Sequence, residues 1–560
     1  LEEALRNPFD DSATSRSPAH TLNDEQQFVL NSIEKGIAES SYSAFLLHGV
    51  TGSGKTEVYI RAMNSTLKTG KSALMLVPEI ALTPIFSQRL RAVFGDEVAI
   101  LHSNLSSGER FDEWRRIRRG DARIVIGTRS AVFAPLGNLG LVIVDEEHDS
   151  SYRQSESPFY HARDVAIVRA QQAGAIAVVG SATPALESFY NSQTGKYRYL
   201  GLQYRIENRP MAQAELIDMR AVFRRAGKDV VCSPALIEAI ENTHSRGEQS
   251  IILLNRRGFS SFVLCRTCGE SLCCKNCDIT LTYHKSSRKV TCHYCGFSTR
   301  TPETCPFCKS EFLYFIGQGT EQLEEIIARR FSNLRVARID RDTITKKGQL
   351  AKILNGFDRG EIDMLVGTQM LAKGHDFHNV TLVGVVSVDI GLGLPDFRSA
   401  ERTFQLITQV AGRAGRGILP GRVLIQTYYP EHYALRHACR QDYEGFYNDE
   451  LRFRERMGYP PIVVLASILV KHSDQEQAIR TASALKVLLL RAEVSKQCRI
   501  LGPASASLPR LKGEYRYQIL IKSQNRKDLR SVIDSAINSF EEGGGNLRSV
   551  FVEMDPIDLM

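Results

Sequence analysis

The chain has 560 residues, too many for one hydrophobic core, so several domains are expected. Its 43% hydrophobic and 24% charged residues are ordinary for a globular protein, and no apolar run reaches membrane-spanning length; the longest candidate, 462–470, reads as a buried strand. Seventy-one basic residues against 63 acidic ones leave a net charge of +8, which permits a polyanionic partner without demanding one. Residues 1–20, rich in Ser, Asp and Pro, read as a flexible lead-in. The start LEEALRNPFDDS carries no secretory signal, and Leu in place of Met at position 1 suggests a fragment. Over 21–205, short apolar runs (SAFLLHGV, SALMLVP, EVAILH, RIVIGT, LGLVIVDEEH, AIAVVGSAT) alternate with helix-length segments, which predicts a parallel α/β sheet. A second alternation over 206–263 and 310–447 (SIILLN, FLYFIG, RVARID, DMLVGT, LVGVVSVDI, RVLIQT) predicts a second lobe of the same kind. A Cys-rich segment, 264–309, interrupts that lobe after SIILLN. Residues 448–560 read as strand, helix, strand, strand, helix, strand, the order of a split βαβ unit. The expected fold class is therefore α/β, two tandem parallel-sheet lobes with a Cys-rich insertion in the second and an α+β domain at the C-terminal end.

Residues 49–56, GVTGSGKT, contain G-x-x-x-x-G-K-T between an apolar strand and a helical stretch. Gly52 and Gly54 let backbone N–H groups curl round phosphates, Lys55 reaches the β- and γ-phosphates of ATP, and the Thr56 hydroxyl suits Mg²⁺. LVIVDEEH ends a strand in two carboxylates; Asp145 is placed to hold Mg²⁺ and Glu146 to orient and deprotonate a water. QVAGRAGRG in the second lobe offers Gln409 together with the cations Arg413 and Arg416 for a γ-phosphate, the arginines reaching it when two lobes close. Alone, GRAGR reads equally as a basic turn.

Eight of the twelve cysteines form four C-x-x-C pairs in one short segment, which points to metal in a reducing cytoplasm and not to disulfides. Five residues between the first two pairs make a loop too tight to close comfortably, whereas fourteen between the second and third suit a β-hairpin. The spacing predicts one zinc on Cys274, Cys277, Cys292 and Cys295, and another on Cys265, Cys268, Cys305 and Cys308. Both are coordinatively full, hence structural. Cys273 reads as a spare thiol, and His284 and His293 as bystanders.

The series GVTGSGKT, VPEIALT, GTRS, DEEH, GSATP, LLNRRG, GTQMLAKGHDF and QVAGRAGR resembles the superfamily 2 helicase motifs, with RecA-like lobes. That resemblance implies coupling roles for Ser181 and Thr183, nucleotide contacts by Gln26 and Asp376, and nucleic-acid backbone contacts by Thr128, Arg129 and Thr368. A finer resemblance is to the PriA (primosomal protein N′) family, carried by VTGSGKTEVY, by VDEEHDSSYRQ with its following P-x-YHARD, by the cysteine insertion after NRRGF, and by LGPASASLPRLKGEYRYQIL. The loop after DEEH interleaves Tyr152, Phe159, Tyr160 and His161 with Arg153 and Arg163, a composition that can stack bases and pair phosphates. The resemblance implies a loop that senses DNA. It also implies 3′-to-5′ unwinding of stalled forks, primosome assembly, and partners that include single-stranded DNA-binding protein, PriB, DnaT and the replicative helicase loader, in the cytoplasm at the nucleoid. The family's DNA 3′-end-binding domain and winged helix have no matching motif in this sequence. Lys512, Arg516 and Gln518 lie where the C-terminal domain could grip an acidic tail, although Glu514 sits among them and a plain strand face fits as well. Two other readings stay open: a duplex translocase or branch-migration motor, and an ATP-switched scaffold for primosome proteins.

Overall fold

The computed structural model describes residues 21–559 apart from 79–83, 104, 207–210, 228–229, 255–260, 286, 317–326, 328, 340–348, 369–376, 416–419 and 494–496. The lead-in, Asp376, Arg416 and the arginines of NRRG lie outside the described residues. The chain divides into two compact units, one up to Pro210 and the other from Met211 onward. No described helix is long and apolar enough to cross a membrane.

The first unit is built on a seven-stranded sheet in the order Val98–Leu101, Ile124–Gly127, Ser72–Leu76, Leu139–Asp145, Ile176–Ser181, Ser43–Gly49, Arg198–Leu202. Every neighbouring pair is parallel. Its inner strands are apolar on both faces, as a parallel sheet covered by helices requires, while edge strand Arg198–Leu202 is exposed at its start. The order sets the carboxyl ends of the three motif-bearing strands side by side: His48 lies opposite Ser181, and Gly180 opposite Asp145. Ligands bind at that edge in open α/β sheets.

The second unit holds a six-stranded parallel sheet, in the order Val336–Ile339, Met364–Gly367, Gln249–Leu254, Val380–Val386, Arg422–Thr427, Gln213–Asp218. One expected strand is corrected here. FLYFIG does not join this sheet; Leu313–Ile316 pairs antiparallel with Phe262–Cys265 and forms the two-stranded stem of the cysteine insertion. The strand that takes the sixth place, Gln213–Asp218, is half exposed and edge-lying, so it shows no apolar run. The C-terminal sheet follows the expected strand and helix order, with Cys498–Leu511, Glu514–Ser523, Val464–His472 and Val550–Met554 arranged antiparallel. One face, with Ala466, Ile468, Ile519 and Ile521, packs on helices Gln475–Ala492 and Arg526–Glu542. The other, with Leu465, Leu501 and Leu520, packs on the cysteine hairpin.

Candidate phosphate site and zinc centres

The turn after strand Ser43–Gly49 places Gly52 at φ +83° and Gly54 at φ +82°, a region L side chains rarely adopt. A Cβ on Gly54 would also stand 2.3 Å from Gln26 Nε2. That glutamine belongs to the capping box of helix Asp24–Glu39: its Oε1 accepts from Asn23 N at 3.0 Å, while its Nε2 donates to Ser53 O at 2.9 Å. Gln26 is thus fastened to the phosphate loop. Lys55, at the start of helix Lys55–Lys68, is buried and donates from Nζ to Gly49 O at 2.6 Å; Thr56 follows it, half-buried.

Asp145 ends its strand beside this loop. Burial first, and the neighbouring Glu146 second, push its carboxyl up to about 7, while Lys55 and the Tyr59 hydroxyl pull it down. A carboxylate so desolvated gains most from a cation, which fits the donor set for Mg²⁺. Two buried tyrosines hold it. Tyr59 donates to Asp145 Oδ1 at 3.2 Å, and Tyr152 donates to Asp145 O at 2.6 Å. Gly180 makes this possible, because a Cβ there would meet Tyr59 Oη at 1.8 Å. Glu146 sits at φ +46°; its Oε2 makes no hydrogen bond within the described residues and lies 3.7 Å from His148 Nδ1. The same His148 nitrogen is 2.8 Å from Ser181 Oγ, which accepts from Thr183 N at 2.9 Å. Ser181 and Thr183 are therefore connected to the DEEH turn through one imidazole.

Several residues do something other than the sequence predicts, and others escaped it. Glu147, the second glutamate of DEEH, is fully buried and accepts from Arg163 Nη1 at 2.8 Å, Ala185 N at 2.6 Å and Ser188 Oγ at 2.7 Å. Arg163 is thereby corrected from a phosphate-facing cation to half of a buried ion pair. Tyr152 is corrected too: with no exposed ring surface and its hydroxyl on Asp145, it has no face left for a base. Its neighbours form a tight hairpin in which Gln154 N donates to Tyr160 O at 2.8 Å, and the Tyr160 ring packs edge-on against exposed Phe133 at 5.2 Å. Tyr160 and Arg153 are half-buried; Arg129 donates from Nη1 to Arg153 O at 2.7 Å, and Thr128 is buried at the end of its strand. In the second unit, Thr368 is buried after strand Met364–Gly367, and Gln409 and Arg413 are half-buried at the end of helix Ser399–Ala411.

The cysteines gather as the spacing predicts, in two sets of four whose ligand atoms lie within 4.8 Å of one another. Sγ–Sγ separations of 3.6 Å (Cys265–Cys308), 3.7 Å (Cys268–Cys305) and 3.6 Å (Cys274–Cys295) match the edge of a tetrahedron with zinc–sulfur bonds of about 2.3 Å. All four C-x-x-C turns are the same device. The residue after each pair takes a positive φ (Gly269, Asp278, Gly296, Lys309) and returns its N–H to the first cysteine's carbonyl at 2.8–3.0 Å. Cys273 belongs to neither set. His293 is buried, its Nδ1 2.8 Å from Ser505 O, and burial lowers its pKa to about 4. Gln518 is corrected here: its Nε2 donates to His293 O at 2.7 Å inside the protein and cannot grip a partner's carboxylate.

Four family models match the chain: DEAD/DEAH box helicase over 23–191, Helicase conserved C-terminal domain over 309–417, PriA DNA helicase Cys-rich region domain over 274–300, and Primosomal protein N C-terminal domain over 455–557. The replication restart protein PriA of Bacillus subtilis is 45% identical over 540 residues, which cover 96% of this chain and 67% of that protein. That of Treponema pallidum is 41% identical over 97% of this chain and 81% of its own length. This chain belongs to the PriA family. The match to the family's Cys-rich region and the two four-cysteine clusters together make the insertion a zinc-binding module. Among solved structures, RecG bound to a three-way DNA junction is similar at 17% identity with a TM-score of 0.46, covering 79% of this chain and 48% of that one.

Proposed function

We propose that this chain is an ATP-driven DNA motor that unwinds branched or stalled forks 3′ to 5′ and begins primosome assembly. The observation that carries the reading is the convergence of Lys55, at the start of the helix after strand Ser43–Gly49, with Asp145 and Glu146, at the carboxyl end of Leu139–Asp145 one strand removed in the same sheet, in a chain that matches both helicase family models. Lys55 would bind the β- and γ-phosphates of ATP, with Thr56 and Asp145 holding Mg²⁺, whose charge helps neutralise the phosphates. Glu146, with one oxygen unbonded, would orient the attacking water and take its proton. Gln26 would set the adenine against the phosphate loop that it already braces. Arg413 and Arg416 would supply cations from the second lobe and Gln409 a polar amide beside them, and the path from Glu146 through His148 to Ser181 and Thr183 would report hydrolysis to the rest of the lobe. Thr128, Arg129, Arg153, Tyr160 and Thr368 would touch the strand, and Asp376 the nucleotide. Single-stranded DNA-binding protein, PriB, DnaT and the helicase loader are partners by family likeness, and the site of action is the nucleoid.

ATPase rates with no DNA, single strands, duplex and a fork test this reading. Stimulation by forked or single-stranded DNA is expected, with Lys55→Ala lowering the stimulated rate on the order of a hundredfold. A rate indifferent to DNA, or to Lys55→Ala, would overturn it. A fork left unseparated while the ATPase runs would favour a duplex translocase.

A further inference from the structure

Helix Ser107–Arg119 carries a surface that neither the phosphate site nor the DEEH loop uses. Its sequence, SGERFDEWRRIRR, has two kinds of position. Glu113 and Ile117 are buried, and Glu113 is spent inside, accepting from Ile100 N at 2.9 Å and from Arg116 Nη1. On the solvent side, Phe111, Trp114, Arg115 and Arg118 fall at i, i+3, i+4 and i+7, one stripe of the helix. Phe111 is 57% exposed and Trp114 38%. The guanidinium of Arg115 lies over the Phe111 ring, 5.6 Å from its centroid, and that of Arg118 over the Trp114 ring at 5.2 Å. Each pair is a flat apolar ring with a cation layered on it.

The charge of this face is one-sided. Arg110, Arg115, Arg118 and Arg119 lie on it against Asp112, while Glu109 is committed to the helix's own N-terminus, its carboxylate accepting from Ser106 N at 2.7 Å. Arginines in a last turn complement the helix dipole, which accounts for Arg116, Arg118 and Arg119. It does not account for two large aromatic side chains left in water at helical spacing beneath two arginines.

We propose that the Phe111–Trp114–Arg115–Arg118 stripe is a contact surface for single-stranded DNA, the rings and guanidinium planes stacking on bases and the arginines pairing with phosphates. An acidic peptide would satisfy the charge but leave the flat layers unused, so the nucleic acid is the better occupant.

Trp114 is the chain's single tryptophan, so its emission reports on this surface alone. The full chain is titrated with an oligothymidylate at low and high salt, without nucleotide, following tryptophan emission and, in parallel, anisotropy of a labelled strand. The expected result is saturable quenching that tracks the anisotropy and weakens with salt. Arg115→Glu with Arg118→Glu should weaken binding on the order of tenfold and lower the salt slope by about 1 per arginine. These positions are exposed or half-exposed, and zinc content and far-ultraviolet circular dichroism confirm that the variant folds. Binding by anisotropy with unchanged emission, unchanged affinity of the charge-reversed variant, or equal quenching by polyglutamate would each overturn the proposal. Since no ATP is present, failure here leaves the proposed motor untouched, and failure of the motor leaves this surface standing.

Discussion

The two zinc sites share a ligand set and a turn geometry, yet they are embedded differently. Around Cys274, Cys277, Cys292 and Cys295 the protein is apolar and three-sided, with all but Cys295 buried. Tyr294 from the hairpin, Phe397 from the second lobe and Tyr459, Leu465 and Leu520 from the C-terminal region share one buried cluster with the cysteines. The Phe397 and Tyr459 rings stack at 4.5 Å, Phe397 N donates to the Tyr294 hydroxyl at 3.3 Å, and Tyr459 donates to Cys277 O at 2.9 Å. The other site sits on a two-stranded stem: Cys308 is exposed, Cys268 half-buried, and neighbouring Phe307 is 60% exposed. The same chemistry thus serves in one place as the joint on which a domain is seated, and in the other as a local clasp.

The largest expected effect separates the two. Cys292→Ser and Cys308→Ser should each leave about one zinc per chain, by a colorimetric zinc assay. Only Cys292→Ser should collapse the main melting transition of the second unit, because structural zinc is worth on the order of 10 kcal/mol in small modules. Equal melting of the two variants would erase the distinction. Next comes the ion network beside the joint. Arg454, fully buried, donates to Glu450 at 2.7 Å, to Glu401 at 2.8 Å and to Pro460 O at 2.8 Å. Arg454→Ala strands two buried carboxylates and should cost about 3–5 kcal/mol in denaturant unfolding with zinc content unchanged. Tyr459→Phe removes one donor to a ligand's carbonyl and should cost about 1 kcal/mol.

A further effect concerns pH. Lys522 donates from Nζ to Met457 O at 3.0 Å and lies 3.5 Å from the Tyr459 ring centroid. Burial first, and Arg499 second, lower its pKa from 10.5 to about 8. Between those values the unfolded chain holds a proton that the folded chain has lost, so this group's contribution to stability rises with pH across that window, and its penalty is fully present below about 8. The stability of the wild type relative to Lys522→Met should therefore rise from pH 8 towards 10.5, and a flat difference would place the ammonium in solvent.

Spacing made much of this legible. The phosphate loop, the acidic strand end and the pairing of the cysteines follow from residue types at short separations, where chain geometry leaves few choices. What the sequence hid depends on distant partners. An apolar run such as FLYFIG announces a strand but not its sheet, and edge strand Gln213–Asp218 has too little burial to announce itself. Glu147 shows no role of its own in the sequence, since its partner Arg163 lies sixteen residues on; the turn at Glu146, φ +46°, leaves Glu146 near His148 and Glu147 in that buried ion pair. Tyr59 and Tyr152 look like ordinary core and ordinary loop aromatics, since the strand end they share is 86 and 7 residues away. The docking of Arg398 on Pro556 O and of Arg402 on Ile557 O spans more than a hundred and fifty residues and left no local trace.

In the proposed motor one triphosphate would be answered by both lobes, Lys55 and Asp145 from the first and Arg413 with Arg416 from the second. The most direct test is Arg413→Ala, measured for binding of a fluorescent ATP analogue and for DNA-stimulated hydrolysis side by side. Binding retained with hydrolysis reduced on the order of a hundredfold is the predicted result. Hydrolysis at the wild-type rate would show that the second lobe takes no part in the chemistry, and the account would fall.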